Sequence, residues 1–138
     1  MVFNTIYMLH TQEEQLRCFA NAARRLAPGG AFVVEAFIPE LVRYDSSQTA
    51  RTSSMVQGQL QIDLVTVDLV QQQITSQHIR LGGSKKVENF TVKMRFAFPA
   101  ELDLMARLTG LRLRERWGDW DGSACTGKSG KYISIYEH

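Results

Sequence analysis

With 138 residues, 44% of them hydrophobic and 22% charged, the chain has the size and composition of one soluble domain with a real core, which excludes a disordered tail. Lys and Arg number 16 against 14 Asp and Glu, and the resulting net charge of +2 is too small to argue for nucleic acid or an anionic membrane surface. Cys18 and Cys125 stand far apart with no Cys or His cluster around them, so neither a disulfide framework nor a metal site is expected, and a reducing cytoplasm fits best. The most apolar run, Ala31 to Ile38, is short and interrupted by Glu35, which speaks against a membrane span. The N-terminal stretch has neither the basic start nor the long apolar run of a signal peptide.

Met1 to Leu9 (MVFNTIYML) is apolar and rich in strand formers, so the chain is expected to open in a buried strand. A domain seldom starts on a core strand at its first residue, and this points to further chain upstream. Thr11 followed by Glu14 has capping-box spacing and starts a helix with Leu16, Phe19, Ala20, Ala23 and Leu26 on its apolar side. Pro28-Gly29-Gly30 ends it, and Ala31 to Ile38 forms a second strand, apolar as if covered on both faces. Strand, helix, tight turn and strand make a βαβ unit, for which parallel strands are expected.

Pro39 to Gln59 has no period and reads as a loop or lid. Alternation over Leu60–Val67, Ile74–Leu81 and Phe90–Phe98 gives three antiparallel strands, the last two joined at Gly82-Gly83-Ser84-Lys85. Pro99 then opens a helix that stops at Gly110, and Leu111–Trp117 and Lys131–Glu137 are two closing strands. The fold class is α/β: a single domain over 1–138, with a core in 1–38 and 99–138 and an inserted lid and three-stranded antiparallel sheet in 39–98.

Two motifs invite readings that the local pattern opposes. Gly122 to Ser129 (GSACTGKS) has the letters of a phosphate-binding loop, but that loop needs a helix after its Lys-Ser, and here Gly130 and an alternating strand follow. The segment is expected to be a hairpin. Arg112, Arg114 and Arg116 form a basic stripe, read as a solvated edge strand rather than a nucleic-acid surface.

The string FNTIYMLHTQEEQLRCFANAARRLAPGGAFVVEAFIPE resembles the second half of class I S-adenosylmethionine-dependent methyltransferases, with its helix ending in L-x-PGG before an apolar strand. PAELDLMARLTGLRLRERWGDWDG and the final KYISIYEH are similar to the last helix and strands of that family, and the inserted sheet is similar to that of its small sugar N-methyltransferase-like subset. The resemblance implies a partial Rossmann-like sheet, S-adenosylmethionine as cofactor and a small-molecule acceptor. The Gly-rich loop and acidic ribose ligand through which that family mainly holds its cofactor do not occur in this sequence. The expectation is therefore the C-terminal portion of a methyltransferase, without substantial activity alone. The alternative is a non-catalytic binding or dimerisation module.

By the same resemblance Asn4 and Thr5 line the cofactor, unless they merely cap a strand. His10 is the first candidate for a general base and Glu35 the second. His10 is otherwise a surface or capping residue. Glu35, buried in an apolar strand, must face the cleft or bond a neighbouring backbone group. Tyr7, Tyr44, Arg95, Trp117 and Trp120 are candidates for the acceptor pocket, each with packing as its other reading. No nucleic acid or membrane partner is expected. A homodimer is, through the unprotected strand near Phe3, Ile6 and Leu9.

Overall fold

In the computed structural model, residues 1–40, 48–56, 59–82 and 87–138 are described. Thr11 caps α1 (Gln12–Arg25) as its spacing requires: its hydroxyl accepts from the Glu14 N–H and the Glu14 carboxylate from the Thr11 N–H, both at 3.1 Å. The Thr11 and His10 N–H groups that donate to it hold the Glu14 carboxyl below its usual range. Glu13 and Glu14 in the first turn and Arg24 and Arg25 in the last suit the helix dipole. After the helix, Gly29 takes φ 75, which only glycine adopts without cost, and the turn closes with a bond of 2.8 Å from Gly30 N–H to the Ala27 carbonyl.

Strand β1 (Phe32–Phe37) follows, but its partner is not the N-terminal segment. It pairs antiparallel with β7 (Lys131–Glu137), whose other edge carries β6 (Arg112–Trp117), giving the order β1-β7-β6. Central β7 is buried from Tyr132 through Tyr136. Helix α2 (Pro99–Leu108) has its proline in the first turn, where the missing N–H costs nothing, and ends before Gly110 at φ 81. Phe19 of α1 makes edge contacts with Phe32 and Tyr136, and Asp103 of α2 accepts from the Tyr136 hydroxyl, so both helices cover the same face of the sheet.

The expected strand over Met1–Leu9, and with it the parallel βαβ unit, is not formed. Phe3 and Asn4 take φ 55 and 60, which ends any extended run, and Thr5–Met8 is a single 3₁₀ turn. The segment instead lies along the outer edge of β1. The Met1 amino group donates to the Val33 carbonyl, Glu35 N–H to the Met1 carbonyl at 2.8 Å and Asn4 N–H to the Glu35 carbonyl at 3.3 Å. Only Met1 has the pattern of a parallel pairing. Ile6, which an exposed strand edge would have shown to solvent, is fully buried, so the self-association surface expected around Phe3, Ile6 and Leu9 is not laid out as a free strand.

A second sheet contains β2 (Gln48–Val56), β3 (Gln59–Asp68), β4 (Gln73–Leu81) and β5 (Glu88–Arg95), in that order, with antiparallel registers between β2 and β3 and between β3 and β4. It has four strands, not the expected three, because part of the presumed lid is β2. Asp68 closes the β3–β4 turn by accepting the N–H groups of Val70 and Gln71, both at 2.9 Å. The chain thus forms two compact units, Met1–Pro39 with Arg95–His138, and Glu40–Met94.

Candidate functional site

Residues of a strand alternate between faces, and Phe32 points towards α1, so Glu35 projects from the opposite face of β1. There it is 8% exposed, and its carboxylate has several donors. Oε2 accepts from the Phe3 N–H at 2.9 Å and Oε1 from the Trp120 indole N–H at 3.0 Å, with Lys131 Nζ at 3.8 Å. Lys131 lies 2.6 Å from Asp119; this bond lowers the Asp119 pKa and raises that of Lys131. The left-handed turn at Phe3 and Asn4 aims the Phe3 N–H at Glu35 and leaves Phe3 84% exposed; Trp120, on the other carboxylate oxygen, is 49% exposed. One buried carboxylate therefore holds the Trp120 indole and the backbone of Phe3, both exposed residues.

Asn4 joins this cluster as a strand mimic, its Oδ1 accepting from the Phe37 N–H at 2.8 Å where a neighbouring strand would supply a carbonyl. The Thr5 hydroxyl donates to the Val2 carbonyl. Glu35 thus bonds a neighbouring backbone N–H, the second of its two expected roles.

The other candidates are not brought into this cluster. Tyr7 is fully buried, with its hydroxyl 2.8 Å from the Phe37 carbonyl and 2.9 Å from that of Ala97; burial pushes its phenol up to about 12. Arg95 is buried against Gln15 at 2.6 Å and Glu101 at 2.7 Å. His10 is exposed at the start of α1, its N–H held by Glu14. Trp117 is half-buried at the end of β6, and its indole donates to Glu115 at 3.1 Å. Tyr44 lies outside the described residues. Two open surface grooves, of about 480 and 390 Å³, run along α1 and include none of Asn4, Glu35 or Trp120.

Sequence reasoning missed Phe3, Lys131 and Asp119 in the cluster, and Gln15 in the core. Gln15 Nε2 lies within 3.3 Å of the carbonyls of Ile6, Leu9 and Arg95, and the one available signal was its place one turn before Phe19 on the inner face of α1. The phosphate-loop letters form a turn without a following helix. Ala124 bridges to Trp117, and the N–H groups of Thr126, Lys128 and Ser129 bond within the turn. Each arginine of the β6 stripe faces a carboxylate: Arg112 and Arg114 meet Glu137, and Arg116 meets Asp103. Among the described residues, no helix is long and apolar enough to cross a membrane, and no group of three His, Cys, Asp or Glu side chains converges as a metal site.

A helix-covered sheet closed by β6 and β7, with an antiparallel sheet inserted after β1, is the architecture of S-adenosylmethionine-dependent methyltransferases, and the chain is homologous to these over about half of their length, consistent with their C-terminal half. The methyltransferase CcbJ of Streptomyces caelestis is 33% identical and superposes with a TM-score of 0.91 over 99% of this chain and 58% of its own. The cypemycin N-terminal methyltransferase of a Streptomyces species is 28% identical over 135 residues, which are 97% of this chain and 55% of that protein. An S-adenosylmethionine-dependent methyltransferase of Clostridium acetobutylicum, only 6% identical, shares the fold with a TM-score of 0.83 over 99% of this chain and 55% of its own. No protein-family model matches the chain.

Proposed function

We propose that the chain is the C-terminal portion of an S-adenosylmethionine-dependent methyltransferase that acts on a small molecule, and that it is inactive alone. The observation that carries this reading is the likeness to CcbJ along nearly the whole chain but only 58% of the relative. The Glu35 cluster is then one wall of the acceptor side, with Phe3 and Trp120 as its aromatic surface. The described residues do not make a full cofactor site. Asn4, Thr5 and both Glu35 oxygens are bonded within the chain, and what remains outward is aromatic surface and the Asp119–Lys131 pair. The chain's own part is positioning: an acceptor stacked on Phe3 and Trp120 is held against a surface that Glu35 keeps rigid.

Calorimetric titration with S-adenosylmethionine, followed by assay of labelled methyl transfer to a panel of small amines and alcohols, tests the proposal. The chain alone is expected to transfer nothing. Fused behind the N-terminal half of CcbJ, it is expected to bind the cofactor and methylate a small acceptor, with a weakened acceptor KM in Trp120→Ala. Methyl transfer by the unfused chain overturns its inactivity, and a folded fusion that binds no cofactor overturns the assignment as a methyltransferase portion.

A further inference from the structure

The second unit carries a hydrogen-bonded relay remote in sequence from the Glu35 cluster. Ser76 and His78 are two residues apart on β4 and so share a face, while Asp63 on β3 is paired directly with His78. His78 Nδ1 lies 2.7 Å from Asp63 Oδ1, and Nε2 lies 3.2 Å from Ser76 Oγ. Phe90 of β5 stacks on the imidazole, with centroids 4.7 Å apart and planes at 24°. Ser76 is 7% exposed, and the His78 side chain 22%.

A carboxylate only accepts, so Asp63 fixes the imidazole proton on Nδ1 and turns the Nε2 lone pair towards the Ser76 hydroxyl, which must donate. The hydroxyl thus faces an imidazole nitrogen whose ring is oriented by a carboxylate, the connectivity that activates a serine for acyl transfer. Phe90 covers one face of the ring and holds it in place.

We infer that Ser76 is an activated nucleophile that takes acyl groups from esters with good leaving groups. The restriction to such esters follows from the strand: β4 is flanked by β3 and β5, so its backbone N–H groups serve the sheet and give little help to a developing oxyanion. Ser76 Oγ attacks the ester carbonyl carbon as its proton passes to His78 Nε2. The carbon–oxygen bond to the leaving group breaks, and the imidazolium returns the proton to the departing oxygen. The products are an O-acyl serine and an alcohol, and water then releases the acid by the same relay.

The test is para-nitrophenyl acetate turnover together with fluorophosphonate labelling of the intact chain, the labelled residue being located by peptide mass spectrometry. Label is expected at Ser76 and lost in Ser76→Ala. Acylation should be slowed about 100-fold in His78→Gln, the usual scale for losing a general base. Asp63 is a positioning residue, so Asp63→Asn should slow acylation while Asp63→Glu restores part of the rate. Circular dichroism of each variant verifies folding. Should Ser76→Ala or His78→Gln fail to fold, Ser76→Cys provides the second route, its alkylation by iodoacetamide being expected to outpace that of Cys18 and Cys125. No label at Ser76, or label at Ser76 that is indifferent to His78, would show a polar trio that merely satisfies its own hydrogen bonds.

Discussion

In the unit built from Met1–Pro39 and Arg95–His138, three tyrosines, Gln15 and Arg95 lie inside a helix-covered core and direct their polar atoms to groups distant in sequence. Tyr7 reaches Ala97, Gln15 reaches Arg95, and the Tyr136 hydroxyl reaches Asp103. In Glu40–Met94 the buried polar residue among those described is Ser76, answered two residues away by His78, and the buried apolar side chains are Val67 and Ile74. The first unit ties the ends of the chain together, whereas the second is a meander whose contacts are mostly between sequence neighbours. Long-range ties make unfolding cooperative, and a thin, locally bonded sheet can open by itself.

The sharpest test of this contrast pairs one core residue from each unit. Phe19→Ala removes a fully buried ring that touches Phe32 and Tyr136, and should cost about 3–5 kcal/mol of global stability in urea denaturation. Ile74→Ala should act locally, raising amide exchange through β3 and β4 while leaving β1 and β7 protected. Equal loss of protection in both sheets would show that the units unfold as one.

Alkaline pH offers a second, smaller handle, and it acts on the first unit. Burial raises the phenol pKa of Tyr7 to about 12 and pushes those of Tyr132 and Tyr136 upward as well. Above pH 10 the unfolded chain loses phenolic protons that the folded chain keeps, so stability falls as pH rises. Tyr7 alone accounts for about 2–3 kcal/mol lost by pH 12. Phenolate absorbance should therefore appear together with loss of the first unit's structure. Three phenols titrating near pH 10 in a folded chain would contradict the buried cluster.

Asn4→Ala should have the smallest effect. It strands the Phe37 N–H and places alanine at φ 60, at a cost of about 1–2 kcal/mol in thermal unfolding.

These tests also mark what the sequence made legible. The capping box at Thr11, the Pro28-Gly29-Gly30 stop, the proline start of α2 and the alternation of β3, β4 and β7 were readable because each depends on local chemistry. MVFNTIYML was misread because apolar β-formers signal burial rather than extension, and its conformation is decided by Asn4, which takes a left-handed turn and uses its side chain as backbone. Strand β2 (QTARTSSMV) escaped because it lies at the edge of its sheet and has no apolar period to reveal it. In the candidate site, Glu35 was legible as a charge in an apolar strand and Trp120 as an aromatic candidate. Phe3, Asp119 and Lys131 were not, since only the fold brings them to that carboxylate.

The Tyr7 hydroxyl, within 2.9 Å of the carbonyls of both Phe37 and Ala97, fixes where the inserted segment leaves the first unit and where it returns. Tyr132 holds the return point a second time, at 3.0 Å from Ala97, and the Ile38 N–H secures the departure on Gly130 at 2.8 Å. The two junctions are thus a few ångströms apart and anchored by residues of the first unit. Such a seam is a natural graft boundary. Exchange of Glu40–Met94 for a short linker of suitable span is therefore expected to leave the framework folded.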